Sequence, residues 1–173
     1  MKLIHFVILC LAFFGCKKNA DQNSNSDLKG KIIADITRNG ESSHFEYLET
    51  IGYTFRYVAN YGEAPYTSIY VRKHLDGSST IYEEISMVIP DSIRGTFSFG
   101  PSGTESRSID YRLYNSSNDT YTTYSNDPNV SSGLLTIDSI SHDFIKGSFN
   151  VTCWNGNESA VLTNGEFWGT LYH

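Results

Sequence analysis

Residues 144–154 read Phe-Ile-Lys-Gly-Ser-Phe-Asn-Val-Thr-Cys-Trp and run directly into Asn155-Gly156. Apolar and polar side chains alternate along this stretch, which is the period-two pattern of a half-buried strand. Asn-Gly favours a type I′ turn because both central residues of that turn need positive φ. The sequence therefore predicts a β-hairpin between residues 144–154 and 159–170. The first strand should bury the side chains of Phe149, Val151 and Cys153.

The same alternation fills most of the chain between Gly30 and this hairpin. Asn39-Gly40 and Asp76-Gly77 are two more turn dipeptides between runs rich in Tyr, Thr, Ile and Val. We expect no helix, since no window carries a sustained apolar stripe of period 3.6. The polar residues 115–132, which include a proline, are either a long loop or a short edge strand.

Regularly spaced strands joined by such turns predict an all-β fold over residues 30–173. We expect a single antiparallel β-sandwich, with a small lipocalin-like β-barrel as the alternative.

Tyrosines crowd the middle of the chain, between residues 53 and 124. Within Tyr53-Thr54-Phe55-Arg56-Tyr57, period two places the three aromatic rings on one face and Arg56 on the other. Arg56 marks the solvent side, because an unpaired guanidinium is costly to bury. We interpret the rings as core residues. The alternative is an exposed aromatic surface that contacts a sugar or a protein.

The first sixteen residues have the organisation of an export signal. Met1-Lys2 precedes an apolar run that would be about 18 Å long as a helix, short of the ~30 Å hydrocarbon core. Gly15 and Cys16 follow, which looks like a bacterial lipobox. We expect residues 1–15 to be a lipoprotein signal peptide and Cys16 to carry the lipid. Residues 16–29 should form a flexible tether, because they hold almost nothing that can be buried.

The charge and cysteine content exclude two further classes. The chain carries 13 Lys and Arg against 19 Asp and Glu, a net charge of −6, and such a surface repels phosphate backbones. Nucleic acid is therefore not an expected partner. After export, Cys153 would be the one cysteine beside the lipidated Cys16, so no intramolecular disulfide is expected. Its place in a strand predicts a small buried side chain and not a reactive thiolate.

A search for catalytic chemistry finds only isolated candidates. Glu83 and Glu84 are neighbours on a predicted strand, so their carboxylates should face opposite sides and not converge on one bond. We expect no catalytic, metal-binding or cofactor-binding residue and no enzymatic activity. The remaining histidines lack the spacing of metal ligands and are expected to be surface residues near turns: His44, His74, His142 and His173.

Five short segments carry a resemblance to a known family. In this order they are similar to a family of uncharacterised Bacteroidota lipoproteins with a domain of unknown function, over residues 90–168. The resemblance implies a β-rich lipoprotein domain and brings no catalytic residue with it. The segments are Gly95-Thr96-Phe97-Ser98-Phe99, the residues around Tyr111, Ser132-Gly133-Leu134-Leu135-Thr136-Ile137, Ile145-Lys146-Gly147-Ser148-Phe149 and Val161-Leu162-Thr163-Asn164-Gly165-Glu166-Phe167.

Two serines are candidate O-glycosylation sites. Ser92 and Ser139 each lie in an Asp-Ser-Ile triplet. The triplet fits the Asp-Ser/Thr-apolar acceptor pattern of exported Bacteroidota proteins, although short patterns of this kind also arise by chance.

These features predict a lipid-anchored cell-envelope protein that acts as a non-enzymatic binding or structural module. Its expected partner is the membrane, through the lipid at Cys16, and we favour the outer membrane because Lys17 replaces the aspartate associated with inner-membrane retention in enteric bacteria. The alternatives are a lipocalin-like carrier of a small apolar ligand and, third, an envelope hydrolase. A barrel with an apolar cavity would favour the carrier, and a filled sandwich with an exposed tyrosine face would favour the binding module.

Overall fold

A computed structural model describes residues 28–50, 54–58, 65–90, 94–99, 107–126 and 132–173. The predicted signal peptide, the lipidation site Cys16 and the tether up to residue 27 lie outside the described residues. Tyr53 and the candidate acceptor Ser92 also lie outside them. Within the described ranges, no helix is long and apolar enough to span a membrane.

The described residues form eleven β-strands, whose side chains alternate between buried and exposed as the period-two pattern predicts. They are β1 (Gly30–Arg38), β2 (Glu41–Glu49), β3 (Phe55–Val58), β4 (Tyr66–His74), β5 (Ile81–Pro90), β6 (Gly95–Phe99), β7 (Ser108–Asn115), β8 (Thr120–Tyr124), β9 (Ser132–Ser141), β10 (Phe144–Trp154) and β11 (Ser159–Thr170).

The strands form two antiparallel sheets that pack against each other. One has six strands in the order β2-β1-β11-β10-β9-β6, and the other has five in the order β3-β4-β5-β7-β8. The predicted antiparallel β-sandwich is confirmed, and over the described strands the two sheets do not close into the alternative barrel. The polar segment after β7 was interpreted as either a long loop or a short edge strand. Part of it is the short edge strand β8, so the second interpretation is correct for that part.

The terminal hairpin pairs the two predicted strands, but through a four-residue loop and not a type I′ turn, since Asn155 is not at positive φ. β10 pairs with β11, with Trp154 opposite Ser159. Gly156 has a φ of 97°, and the Asn155 side chain accepts hydrogen bonds from the backbone N–H groups of Asn157 and Glu158, both at 2.9 Å. The three side chains predicted to be buried are all in the core: Phe149, Val151 and Cys153.

Gly156→Val should lower the free energy of unfolding by about 1–2 kcal/mol, because a β-branched residue would be forced to positive φ. Nothing lies within 4 Å of a Cβ built at this glycine, so the loss should come from the backbone and not from a clash. Urea unfolding of the two proteins measures the difference. Gly156→Asn is the control, since asparagine tolerates positive φ. A Gly156→Val protein as stable as wild type would contradict the turn.

The core lies between the sheets and is built from alternate residues of both. It takes aliphatic side chains from the central strands and aromatic ones from the hairpin. Its members include Ile32, Ala34 and Ile36 of β1, Ile85, Met87 and Ile89 of β5, and Phe149 and Phe167 of the hairpin.

Phe55 packs the edge strand β3 against the opposite sheet. Its side chain is fully buried, and its ring lies against Gly30 and Gly169, which pair across β1 and β11. A Cβ at Gly169 would lie 2.2 Å from the ring, so the glycines leave the space that the ring fills. Arg56 is exposed and Tyr57 is half-buried. The prediction is therefore confirmed for Phe55 and Arg56, but Thr54, on the predicted solvent face, is buried and Tyr57 is not part of the core.

Candidate functional site

The tyrosines of the five-stranded sheet divide between its two faces. Tyr111 and Tyr124 lie opposite each other on β7 and β8 and are each 1% exposed, in the core. Tyr70 and Tyr121 are 43% and 51% exposed on the other side, which we call the outer face. Successive residues of a strand point to opposite sides, so one tyrosine-rich segment supplies both faces. The core interpretation is correct for the buried pair and incomplete for the outer set.

The buried pair acts as hydrogen-bond donors inside the fold. The Tyr111 hydroxyl donates to Glu83 Oε1 at 2.9 Å, and the Tyr124 hydroxyl donates to Glu158. Burial is the main cause that raises the pKa of the Tyr111 hydroxyl, and the nearby carboxylate raises it further. The same two causes raise the pKa of the Tyr124 hydroxyl to about 12. Both hydroxyls thus keep their protons at neutral pH and satisfy carboxylates, which is a structural role.

Four rings form a continuous line on the outer face. His74, Tyr82, Tyr114 and Tyr121 lie opposite one another in the registers of β4, β5, β7 and β8, and we call them the aromatic row. Successive ring centroids are 4.1, 5.9 and 4.5 Å apart, and the ring planes meet at 34°, 33° and 27°. Cross-strand aromatic pairs of this kind stabilise a sheet and restrict the rotamers of their members.

The guanidinium of Arg72 lies beside the aromatic row. Its Cζ atom is 4.8 Å from the ring centroid of Tyr114 and 5.6 Å from that of Tyr82, within the range of cation–π attraction. Its Nη2 atom donates to the Tyr121 hydroxyl at 3.3 Å and lies 2.5 Å from Glu84 Oε1. Arg72 is therefore held by two rings, a hydroxyl and a carboxylate.

Glu84 is the buried anchor of this cluster. It is 1% exposed although it belongs to the outer face, because neighbouring side chains cover it. It lies between Arg72 on β4 and Arg112 on β7 in the strand register. The pKa of the nearby Tyr70 hydroxyl is raised by burial and by the charge of Glu84. The carboxylate thus fixes a cation in the middle of an aromatic surface.

This surface has the composition of a recognition site. Tyrosine and arginine are enriched among the residues that dominate binding energy at protein interfaces. Two of the three ring pairs are tilted and one is stacked, so each ring face is partly covered by its neighbour and the ring edges remain for a partner. Since stacking already restricts the side chains, a partner would immobilise little that is still free.

The residues considered for nucleophilic or acid–base chemistry are in unsuitable places. Glu83 points into the core and Glu84 to the outer face, which confirms that their carboxylates do not converge. Both are buried, which the sequence did not predict. The Cys153 thiol is buried 3.4 Å from the carbonyl of Ile109, and burial raises its pKa to about 12. Cys153 is therefore a core residue, as predicted.

The expectation that the histidines lie scattered on the surface is only partly correct. His44 on β2 is exposed, but its Nδ1 lies 2.8 Å from Asp35, where hydrogen bonds from Asn164 and His44 lower the pKa of that carboxyl. His142 and His173 are exposed and stack on each other with centroids 4.1 Å apart. The two histidines are 31 residues apart in the sequence, and their contact depends on how β11 returns along β10. The contact could therefore not be predicted from the sequence.

The candidate acceptor Ser139 lies on β9 and is half-buried beside the exposed Asp138. It is opposite Lys146 of β10, next to an irregularity in the register of the two strands. Its glycosylation stays a prediction.

Comparisons with known proteins give a family and no activity. No curated protein and no solved structure matches the chain. Residues 72–170 match a family described as a domain of unknown function, DUF6252. The match is more than half of the chain, begins before the residues that carried the resemblance, and contains Arg72 and the whole aromatic row. The protein thus belongs to the DUF6252 family.

Proposed function

We propose that this protein is a lipid-anchored, non-enzymatic binding module of the cell envelope that holds a protein partner on the outer face of its five-stranded sheet. The observation that carries the proposal is the aromatic row with Arg72 fixed beside it. A tyrosine cluster whose only role was to shield the core from water would not need the Arg72 guanidinium paired with the buried Glu84 carboxylate.

The geometry of the rings favours a protein over a sugar. A sugar stacks on a free aromatic face, whereas the faces in this row are turned toward neighbouring rings and toward Arg72. Ring edges, hydroxyl groups and a guanidinium suit the backbone and side-chain groups of another protein. The arginines beside the row, Arg72 and Arg112, are each paired with a carboxylate of the same face, so recognition would depend on the rings and their hydrogen-bonding groups and not on net charge.

The fold gives the other two functions less support. A lipocalin-like carrier needs a closed barrel, and the described strands form two sheets with separate edges. A hydrolase needs a nucleophile or paired acids, and Cys153, Glu83 and Glu84 are each held in buried structural contacts. These observations support a binding role.

The proposed anchor is the lipid at Cys16. The short apolar run before it and the polar tether after it suit a cysteine that becomes the first residue of a lipoprotein. The tether would give the domain an r.m.s. reach of about 20 Å from the bilayer. An outer-membrane location is part of the proposal.

Cys16→Ser should release the protein from membranes, because it removes the cysteine that carries the lipid. Several acyl chains hold a protein durably in a bilayer, whereas a single chain has a binding constant of only about 10⁴ M⁻¹. Membrane fractionation after palmitate labelling measures both events. Wild-type protein should be labelled and sediment with the outer membrane, and Cys16→Ser protein should be unlabelled and soluble. Wild-type protein that sediments without label would contradict lipidation at Cys16.

The binding proposal is tested with the two exposed ends of the aromatic row. Wild-type protein, Tyr121→Ala and His74→Ala are cross-linked in native cells, purified from solubilised membranes, and their co-purifying proteins are quantified by mass spectrometry. Ser98→Ala, at an exposed position of the other sheet, is the control.

A specific protein should co-purify with wild type and Ser98→Ala and fall about tenfold or more with either variant of the row. Equal recovery with all four proteins would contradict the proposed surface. Recovery of a polysaccharide instead, lost with Tyr121→Ala, would contradict a protein partner.

A further inference from the structure

A second group of side chains lies at the end of the sandwich, away from the aromatic row. His142 and Asp143 form the turn between β9 and β10, and His173 follows β11. Because β11 runs antiparallel to β10, with Thr170 opposite Phe144, the residues after β11 return to this turn. All three side chains are exposed, and each offers one ligand atom within 4.8 Å of the other two.

The hydrogen bonds of this cluster orient both imidazole rings. His173 Nε2 lies 2.5 Å from the carbonyl oxygen of His142, so it must be the donor. His142 Nδ1 lies 2.6 Å from Asp143 Oδ1, where an N–H group donates to the carboxylate. Each ring then keeps one unprotonated nitrogen. The carbonyl of His142 thus holds the His173 ring as carbonyls commonly hold metal-ligating histidines, whereas the hydrogen bond between His142 and Asp143 would be exchanged for bonds to the metal when the carboxylate becomes a ligand.

We propose that His142, His173 and Asp143 form a binding site for a divalent transition metal of the zinc, nickel or copper class. Two imidazoles and a carboxylate suit these ions, whereas calcium and magnesium prefer oxygen ligands alone. Bonds of about 2.0–2.2 Å require ligand atoms roughly 3.3 Å apart in a tetrahedral site. The exposed side chains can reach that spacing by rotation, without moving the strands.

A bound ion would join the residues after β11 to the β9–β10 turn. A ligand that binds only the folded protein stabilises it, so the ion should also raise the melting temperature. Among the described residues, the rings of the site contact each other and Tyr57 of β3 and not the aromatic row, so the site does not depend on the proposed partner.

The test is calorimetric titration of the purified, untagged protein with zinc, nickel and calcium chloride. Zinc and nickel should bind one ion per chain, and calcium should not bind. His142→Ala and His173→Ala should each weaken zinc binding by about tenfold or more. His44→Ala is the matched control, because His44 is also an exposed histidine beside a carboxylate, Asp35, but within the described residues it does not belong to a group of three possible ligands.

Cobalt substitution gives a second measurement that does not depend on the variants. The visible spectrum of the cobalt-loaded protein should have nitrogen- and oxygen-ligated bands that disappear with His142→Ala. The proposal is overturned if wild type binds no zinc at millimolar concentration, or if His44→Ala weakens binding as much as His142→Ala and His173→Ala do.

Discussion

Phe55→Ala should lower the free energy of unfolding by about 3–5 kcal/mol, because it removes a fully buried ring and leaves a cavity between the sheets. The ring rests on the paired glycines Gly30 and Gly169, so no neighbouring side chain can fill the space. β3 is an edge strand of four residues, and without the ring it would be held to the residues after β11 mainly by its two backbone hydrogen bonds with Tyr172.

Urea unfolding measures this loss, with Tyr121→Ala as the control. Tyr121 is also an aromatic residue on an edge strand but is half exposed, so its truncation should change stability by less than about 1 kcal/mol. Combining Phe55→Ala with Gly169→Ala should recover part of the loss, because the new methyl group occupies the vacated space. A melting temperature for Phe55→Ala within a degree of wild type would contradict the core role of the ring.

Lys73→Met should lower the free energy of unfolding by about 3–5 kcal/mol, because it leaves a buried carboxylate without its cation. Lys73 lies opposite Glu83, with 3.7 Å between Nζ and Oε2, and Glu83 is 1% exposed in the core. Nζ also donates to the carbonyl of His44 at 3.1 Å, which links the two sheets. The Tyr111 hydroxyl, which donates to Glu83 at 2.9 Å, would remain as a neutral partner of the carboxylate.

The control is a second lysine–glutamate pair on the surface. Lys31 Nζ lies 3.1 Å from Glu46 Oε1 with both side chains substantially exposed, so Lys31→Met should cost less than about 1 kcal/mol. Lys73→Met combined with Glu83→Leu should be more stable than Lys73→Met alone, since no buried charge remains. Equal losses for Lys73→Met and Lys31→Met in thermal unfolding would contradict the buried pair.

The strands and the hairpins could be predicted because they depend on neighbours in the sequence. Period two and the Asn155-Gly156 dipeptide are local signals, and they predicted the pairing of β10 with β11 and the burial of Cys153. Local turns also explain two contacts of the aromatic row, since His74 and Tyr82 flank the Asp76-Gly77 turn and Tyr114 and Tyr121 flank the turn between β7 and β8.

The rest of the row could not be predicted, because it depends on the order of strands in the sheet. Tyr82 meets Tyr114 only because β7 pairs with β5, and β6 in between belongs to the other sheet. The same reason applies to His142 and His173. Alternation along a strand predicts that Glu83 and Glu84 face opposite sides but not how far each side chain is covered, so the burial of Glu84 under its neighbours could not be predicted.

The most direct test of the central claim is site-specific photo-cross-linking in native cells, with benzoylphenylalanine in place of Tyr121 on the outer face. The same amino acid in place of Ser98, on the other sheet, serves as the comparison. If the aromatic row binds a protein, position 121 should give a discrete adduct with one protein and position 98 should give none. Absence of an adduct at position 121, or the same adducts from both positions, would contradict a binding role for the aromatic row.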